Sequence, residues 1–186
     1  MKIKFILSLQ IFIIFAFNSC LQRDINLSDF SWDTSIDQIV QVIGKPNETE
    51  SSYGIIMNTY KNLKFHSYDA ILTFIFLEEK LVGGFYDINS SNQMKSENND
   101  RNYYINVYNN LMRILIGEHG NPLESKEIPN LNMGNERGKD ALLRMEMPIY
   151  SAWYSNGITT TLVFQYQGYW SIQYSMFTQK FLDSQN

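Results

Sequence analysis

Two spacings of apolar residues follow one another along this chain, first one typical of a helix and then one typical of strands. Residues 36–43 carry Ile and Val at positions i, i+3, i+4 and i+7, which is the spacing of one face of an α-helix. Asp33 or Thr34 is suited to cap this helix, and Gly44 and Pro46 are suited to end it. The pattern therefore predicts a short amphipathic helix.

The same spacing predicts a second, longer helix from about Asp100 to His119. Asp100 can cap this helix, and Gly117, Gly120 and Pro122 mark its end. The apolar side chains of one face are Tyr104, Val107, Tyr108, Leu111 and Leu115. We expect this face to cover a β-sheet.

Each predicted helix is followed by segments with the alternating pattern of β-strands. The first group comprises residues 56–65, 70–77 and 81–88, with a turn at 78–80. The second group comprises residues 141–147, 149–155, 158–166 and 169–177. Asn156-Gly157 in this second group is the preferred pair for a two-residue type I′ hairpin turn.

These patterns predict an α+β fold of two tandem repeats, each a helix packed on an antiparallel sheet. The boundaries are repeat 1 at 31–88, an Asn-rich linker at 89–99, repeat 2 at 100–178 and a C-terminal tail at 179–186. The strand at 70–77 has apolar side chains on both faces, so either the other repeat or a bound partner must cover its second face. We expect the other repeat to do so.

The first 20 residues have the pattern of an export signal. Lys2 and Lys4 precede an apolar stretch of 13 residues from Phe5 to Phe17. A helix needs about 20 apolar residues to cross a membrane, so cleavage is favoured over a membrane-spanning anchor. Cys20, the only cysteine of the chain, follows directly.

The residues Phe17, Asn18, Ser19 and Cys20 resemble the lipobox of bacterial lipoproteins. The resemblance implies that residues 1–19 are a signal peptide that is removed, that Cys20 carries acyl chains such as palmitate, and that 20–30 form a tether. Two or three acyl chains hold a protein permanently at a membrane. We therefore expect a lipid-anchored protein of the cell membrane or outer membrane that faces the periplasm or the cell exterior. The alternative is an ordinary secreted protein with an incidental cysteine.

A second resemblance concerns the helix that stops before the first strand group. The matching residues are Ser35, Ile39, Ile43, Gly44, Lys45 and Pro46, with a looser echo in Leu111, Leu115, Gly120, Asn121 and Pro122. They resemble the small lipoprotein of the outer-membrane β-barrel assembly machinery and the tandem-repeat β-lactamase inhibitory protein. The resemblance implies a non-enzymatic α+β module that binds proteins through an exposed sheet face.

The charge balance narrows the choice of partners. The formal net charge is −4, and it becomes −6 when Lys2 and Lys4 leave with the signal peptide. An acidic chain without a basic cluster is not typical of proteins that bind nucleic acid or anionic lipid headgroups. We expect no nucleic-acid partner.

Residues suited to catalysis are few and scattered. His66 and His119 lie 53 positions apart and match no metal-binding spacing. The carboxylate pairs are Asp33 with Asp37 and Glu78 with Glu79, which fit a helix N-terminus and a turn. Gly83-Gly84 is interpreted as a strand bulge rather than a phosphate cradle. We expect no catalytic residue, no metal and no cofactor.

The aromatic C-terminal third is either core or a binding rim, and the residues of the rim would be Tyr154, Tyr169 and Trp170. The sequence therefore predicts a membrane-tethered, non-catalytic binding or scaffolding protein with an envelope protein or a glycan as its partner. The alternative is a hydrolase that acts on cell-wall or glycan substrates. That alternative gains support if His66, His119 and a carboxylate meet in one pocket.

Overall fold

An antiparallel sheet of eight strands dominates the computed structural model, which describes residues 25–88, 101–126, 148–166 and 170–185. The strand order is β1-β2-β3-β4-β8-β7-β6-β5. In chain order the strands are β1 (Glu48–Ser52), β2 (Ile55–Phe65), β3 (Tyr68–Leu77), β4 (Lys80–Ile88), β5 (Glu124–Ser125), β6 (Ile149–Ser155), β7 (Ile158–Tyr166) and β8 (Trp170–Thr178). The candidate strand at 141–147 lies outside the described residues.

The predicted fold class, two tandem helix-on-sheet repeats, is wrong because the two strand groups join edge to edge. β4 pairs with β8 from Gly83↔Phe177 to Ile88↔Ile172, so one hydrogen-bonded sheet runs through both groups. The second group therefore does not stack on the second face of β3. Instead, it adds strands to the edge of the first group. On that second face of β3, Ile75 is buried, and Ile71 and Leu77 are half-buried.

One face of the sheet, here called the covered face, carries the core. Leu72, Tyr86, Tyr174 and Leu162 are paired across neighbouring strands and are all buried. The helix α2 (Arg101–His119) packs on this face with Tyr104, Val107, Tyr108, Leu111 and Leu115, so the predicted apolar stripe is confirmed. Its predicted cap, Asp100, lies outside the described residues. Gly120, at φ 79°, follows the last turn and donates its N–H to the carbonyl of Ile116.

The predicted first helix is also confirmed as α1 (Ile36–Ile43), but its cap differs. The Ser35 hydroxyl accepts from the Gln38 N–H, and the Gln38 side chain accepts from the Ser35 N–H at 2.9 Å. This reciprocal pair starts the helix at Ser35 rather than at Asp33 or Thr34. Gly44, at φ 103°, ends it.

The other face of the sheet, here called the open face, is half-buried and partly polar. Its central row is Thr59, Thr73, Phe85, Ser175 and Thr161. The hydroxyls pair with one another across strands, Thr59 with Thr73 at 3.1 Å and Thr161 with Ser175 at 2.6 Å. The short helix α3 (Gln179–Asp183) lies beside this row, where the Phe181 ring stacks on Phe177.

Candidate functional site

The hairpin of β2 and β3 bends over the covered face and so positions the site. The pairing of the two strands shifts register between Tyr60 and Leu63, where Asn62 adopts φ 61°. Such a bulge bends a strand and increases its twist. Beyond it, the Phe65 ring stacks on Tyr86 at 4.5 Å and on Tyr174 at 4.7 Å between ring centroids. The hairpin tip is thereby held against the end of α2.

Two histidines that are distant in sequence meet one carboxylate at this point, in what we call the His-Glu cluster (His66, Glu118, His119 and Tyr174). His66 Nε2 lies 3.5 Å from Glu118 Oε1, and His119 Nε2 lies 3.9 Å from Glu118 Oε2. The Tyr174 hydroxyl lies 3.4 Å from His119 Nε2. Burial, helped by the negative charge of Glu118, raises the pKa of Tyr174, so this phenol stays protonated.

The His66 ring is held mainly by packing against its aromatic neighbour. Its edge contacts the Phe65 ring at 4.5 Å between centroids. Its Nε2 atom is buried and, among the described residues, has no hydrogen-bond partner, although Glu118 lies within ion-pair distance. The 3.5 Å separation of His66 Nε2 from Glu118 Oε1 is therefore a close approach without a directed hydrogen bond.

A groove of about 490 Å³ opens beside this cluster, between the hairpin tip and α2. We call it the α2 groove; its lining residues are His66, Ser67, Tyr68, Asn110, Arg113 and Ile114. The side chain of Asn110 connects the two walls, because its Nδ2 donates to the Tyr68 hydroxyl at 3.2 Å and its Oδ1 accepts from Arg113. The groove therefore combines polar side chains, three of them linked by hydrogen bonds, with the apolar side chain of Ile114.

The site has some parts of a catalytic apparatus and lacks others. A histidine oriented by a carboxylate can act as a general base if a nucleophile is within hydrogen-bond reach. Ser67 follows His66, yet the described residues contain no hydrogen bond between the Ser67 hydroxyl and the imidazole. The part of the chain that the structure describes also contains no group of three or more His, Cys, Asp or Glu side chains arranged to hold a metal ion.

Only two of the four site residues predicted from sequence lie within the described residues. Cys20 and Tyr169 lie outside the described residues. Tyr154 is 53% exposed near the end of β6, whereas Trp170 is 5% exposed and stacks on Phe164 in the core. Tyr154 pairs with Thr159 and Trp170 with Tyr166, so the two aromatic residues lie toward opposite ends of β7.

The glycine pair of β4 has a packing role. A Cβ on Gly83 would collide with the Phe177 ring, and one on Gly84 would lie 2.7 Å from Leu27 Cδ2. Both faces of β4 are thus closely packed at these two glycines. The bulge in this strand lies beside the pair, at Val82, between the pairs Phe76↔Leu81 and Ile75↔Gly83. The pair is not part of the groove.

Sequence reasoning missed Glu118, Asn110 and Arg113. The spacing of Asn110 and Arg113, one turn apart on the polar side of a predicted helix, was the only available signal.

Comparison of the chain with protein-family profiles, with curated proteins and with solved structures finds no match. None of the helices within the described ranges is both long enough and apolar enough to span a membrane.

Proposed function

We propose that this chain is a lipid-anchored protein of the bacterial cell envelope that binds a ligand in the α2 groove without chemically altering it. The anchor is inferred from the sequence around Cys20. The binding role is supported by one observation, the hydrogen-bonded set of Tyr68, Asn110 and Arg113 that lines a groove of about 490 Å³. Sites held on rigid elements bind more precisely than sites on loose loops, and these residues belong to a helix and a tight hairpin.

The anchor is tested by Cys20→Ala. We expect wild-type protein to incorporate a labelled fatty acid and to partition into the detergent phase, because acyl chains bury hydrocarbon. The variant should remain unlabelled and should either enter the aqueous phase or stay as uncleaved precursor. Equal labelling of both proteins would refute the anchor.

The binding site is tested by photo-crosslinking in intact envelopes. A photoreactive phenylalanine replaces Ile114 in the groove in one variant and exposed Tyr154 in the other. The groove proposal expects a crosslinked envelope component at position 114 and none at position 154. Crosslinking at position 154 alone would favour the aromatic rim expected from the sequence.

A second candidate function, an envelope hydrolase, is favoured by the meeting of His66, His119 and Glu118. The test is release of soluble fragments from labelled cell-wall sacculi by wild type and by His66→Gln. We expect no release by either protein. Release by wild type that is lost in the variant would establish the hydrolase and refute the non-catalytic role.

A further inference from the structure

Arg113 is oriented toward a defined position by a short chain of hydrogen bonds. Its Nη2 donates to Asn110 Oδ1, and Asn110 Nδ2 donates to the Tyr68 hydroxyl at 3.2 Å. Asn110 precedes Arg113 by three residues and therefore lies on the same side of α2. A guanidinium has five N–H donors, and the contacts of Arg113 with the described residues use only one of its nitrogens.

The other polar groups of the α2 groove add donors rather than charged acceptors. The Tyr68 oxygen accepts from Asn110, which leaves its own hydroxyl proton to be donated elsewhere. The Ser67 hydroxyl lines the same groove. Asn110 Oδ1 is already used by Arg113, and the described residues that line the groove include no carboxylate.

Two carboxylates described near this edge each lie close to a histidine or lysine side chain. Glu118 lies within ion-pair distance of His66 and His119, and the carboxylate of Asp69, on the same hairpin, lies 2.6 Å from Lys64 Nζ. The chain as a whole is acidic, with a formal net charge of −4. The chain's net negative charge would not favour an anion. The hydrogen-bond donors and the arginine of the α2 groove are therefore a local feature of this surface.

We propose that the α2 groove binds the oxyanion, a carboxylate or a phosphate, of a small organic ligand, with Arg113 as the main contact. This inference rests on the proposed binding function of the groove. The planar guanidinium fork matches the two oxygens of such a group, and hydrogen bonds between opposite charges are the stronger kind. Tyr68 and Ser67 supply neutral donors, and Ile114 borders the remainder of the ligand. The volume lies within the range of about 300–1,000 Å³ found for small-molecule sites.

The test is calorimetric titration of the full chain, purified in detergent, at low ionic strength. The probes are inorganic phosphate, acetate and acetamide; acetamide has nearly the shape of acetate but no charge. We expect saturable binding of phosphate or acetate and none of acetamide. Whichever of the two anions binds more tightly identifies the oxyanion.

Two variants locate the contact. Arg113→Gln should weaken anion binding at least about tenfold, since a hydrogen bond to a charged group contributes that much. Asn110→Leu keeps the arginine but removes its support, so binding should weaken by a smaller factor. The matched control is Lys180→Gln, which removes one exposed positive charge from α3, on the opposite side of the sheet. It should bind like wild type.

The outcomes separate this inference from the proposed function. Absence of anion binding, equal binding of acetate and acetamide, or equal losses in the Arg113 and Lys180 variants would each overturn the oxyanion site. If the position-114 crosslink persists in those cases, the groove still binds a ligand and only the ligand class is wrong. If the crosslink is absent as well, the binding function itself fails.

Because Arg113 is exposed, its variant should keep the wild-type melting temperature, and an unchanged melt confirms that a loss of binding is local.

Discussion

Four two-residue turns in the part of the chain that the structure describes place both central residues at positive φ. Their residue types differ in how well they tolerate this backbone conformation. The pairs are Tyr53-Gly54, His66-Ser67, Glu78-Glu79 and Asn156-Gly157. Glycine adopts this conformation without a steric cost, whereas other residues are disfavoured by about 1–2 kcal/mol. Ser67 and Glu79 therefore occupy second positions where glycine would be more stable. The Ser67 turn borders the α2 groove, and nothing in the structure explains the choice of Glu79.

Ser67→Gly is predicted to stabilise the fold by about 1 kcal/mol, because it relieves positive φ at the cost of some chain entropy. Glu79→Gly is the matched change at a turn away from the groove and should give a similar gain. Urea denaturation of both variants measures the free energy of unfolding. If Ser67→Gly destabilises while Glu79→Gly stabilises, the Ser67 side chain makes a contribution that the strain argument omits.

The carboxyl of Asp87 on the open face provides a prediction about pH. Burial raises its pKa, and the hydrogen bond from Gln173 at 3.2 Å opposes this shift without cancelling it. A carboxyl whose pKa is higher in the folded state favours folding most below the unfolded pKa of about 3.9, and that contribution is lost as pH rises through the folded pKa. Asp87→Asn should therefore melt at a higher temperature than wild type at neutral pH, and the difference should disappear in acid.

Thermal melts of wild type and Asp87→Asn over a series of pH values test this directly. Glu50→Gln is the control, since it removes one acidic charge from the exposed strand β1 without removing a buried one. The difference in melting temperature between Glu50→Gln and wild type should not vary with pH in the way expected for Asp87→Asn. A difference for Asp87→Asn that grows as pH falls would contradict the assigned direction.

At the scale of elements, the spacing of apolar residues predicted the helix and strands that have a buried face. It missed the features that depend on pairing or contact between distant segments. The apolar stripe of α2 and the turn at Asn156-Gly157 are confirmed, because both depend on local residue types. The strand β1 has no apolar alternation; it is exposed along its length and exists through pairing with β2. The His-Glu cluster depends on a bulge at Asn62 that bends one hairpin, and no local pattern reveals which distant helix that hairpin will meet.

Leu111→Asp tests the placement of α2. Leu111 is fully buried against the covered face, so a charge at this position would be removed from water without a partner. We expect the free energy of unfolding to fall by several kcal/mol. Asn106→Asp, on the exposed side of the same helix, is the control and should change stability by less than about 0.5 kcal/mol. Similar melts for the two variants would show that this side of α2 does not face the core.

At the scale of the whole molecule, the decisive contact is the seam between β4 and β8, and it lies beyond the reach of sequence patterns. Tyr86 pairs with Tyr174 across it, although the two residues are far apart in the chain. Two groups of amphipathic strands can stack, remain separate or join at their edges, and the alternation of side chains is the same in each case. Joining at the edges places both groups on one core, so we expect them to unfold together.

That expectation can be measured because tryptophans report on one strand group. In a Trp32→Phe background, the remaining tryptophans, Trp153 and Trp170, lie in β6 and β8. Leu72→Ala in β3 removes a fully buried side chain from the other group and should cost about 2–5 kcal/mol. Because Leu72, Tyr86, Tyr174 and Leu162 form one row across the seam, tryptophan fluorescence and far-ultraviolet circular dichroism should shift to the same lower denaturant midpoint. Leu162→Ala, the matched change in β7, should shift both signals as well. If Leu72→Ala moves the dichroism but leaves the fluorescence transition in place, the two groups unfold independently and the seam does not couple them.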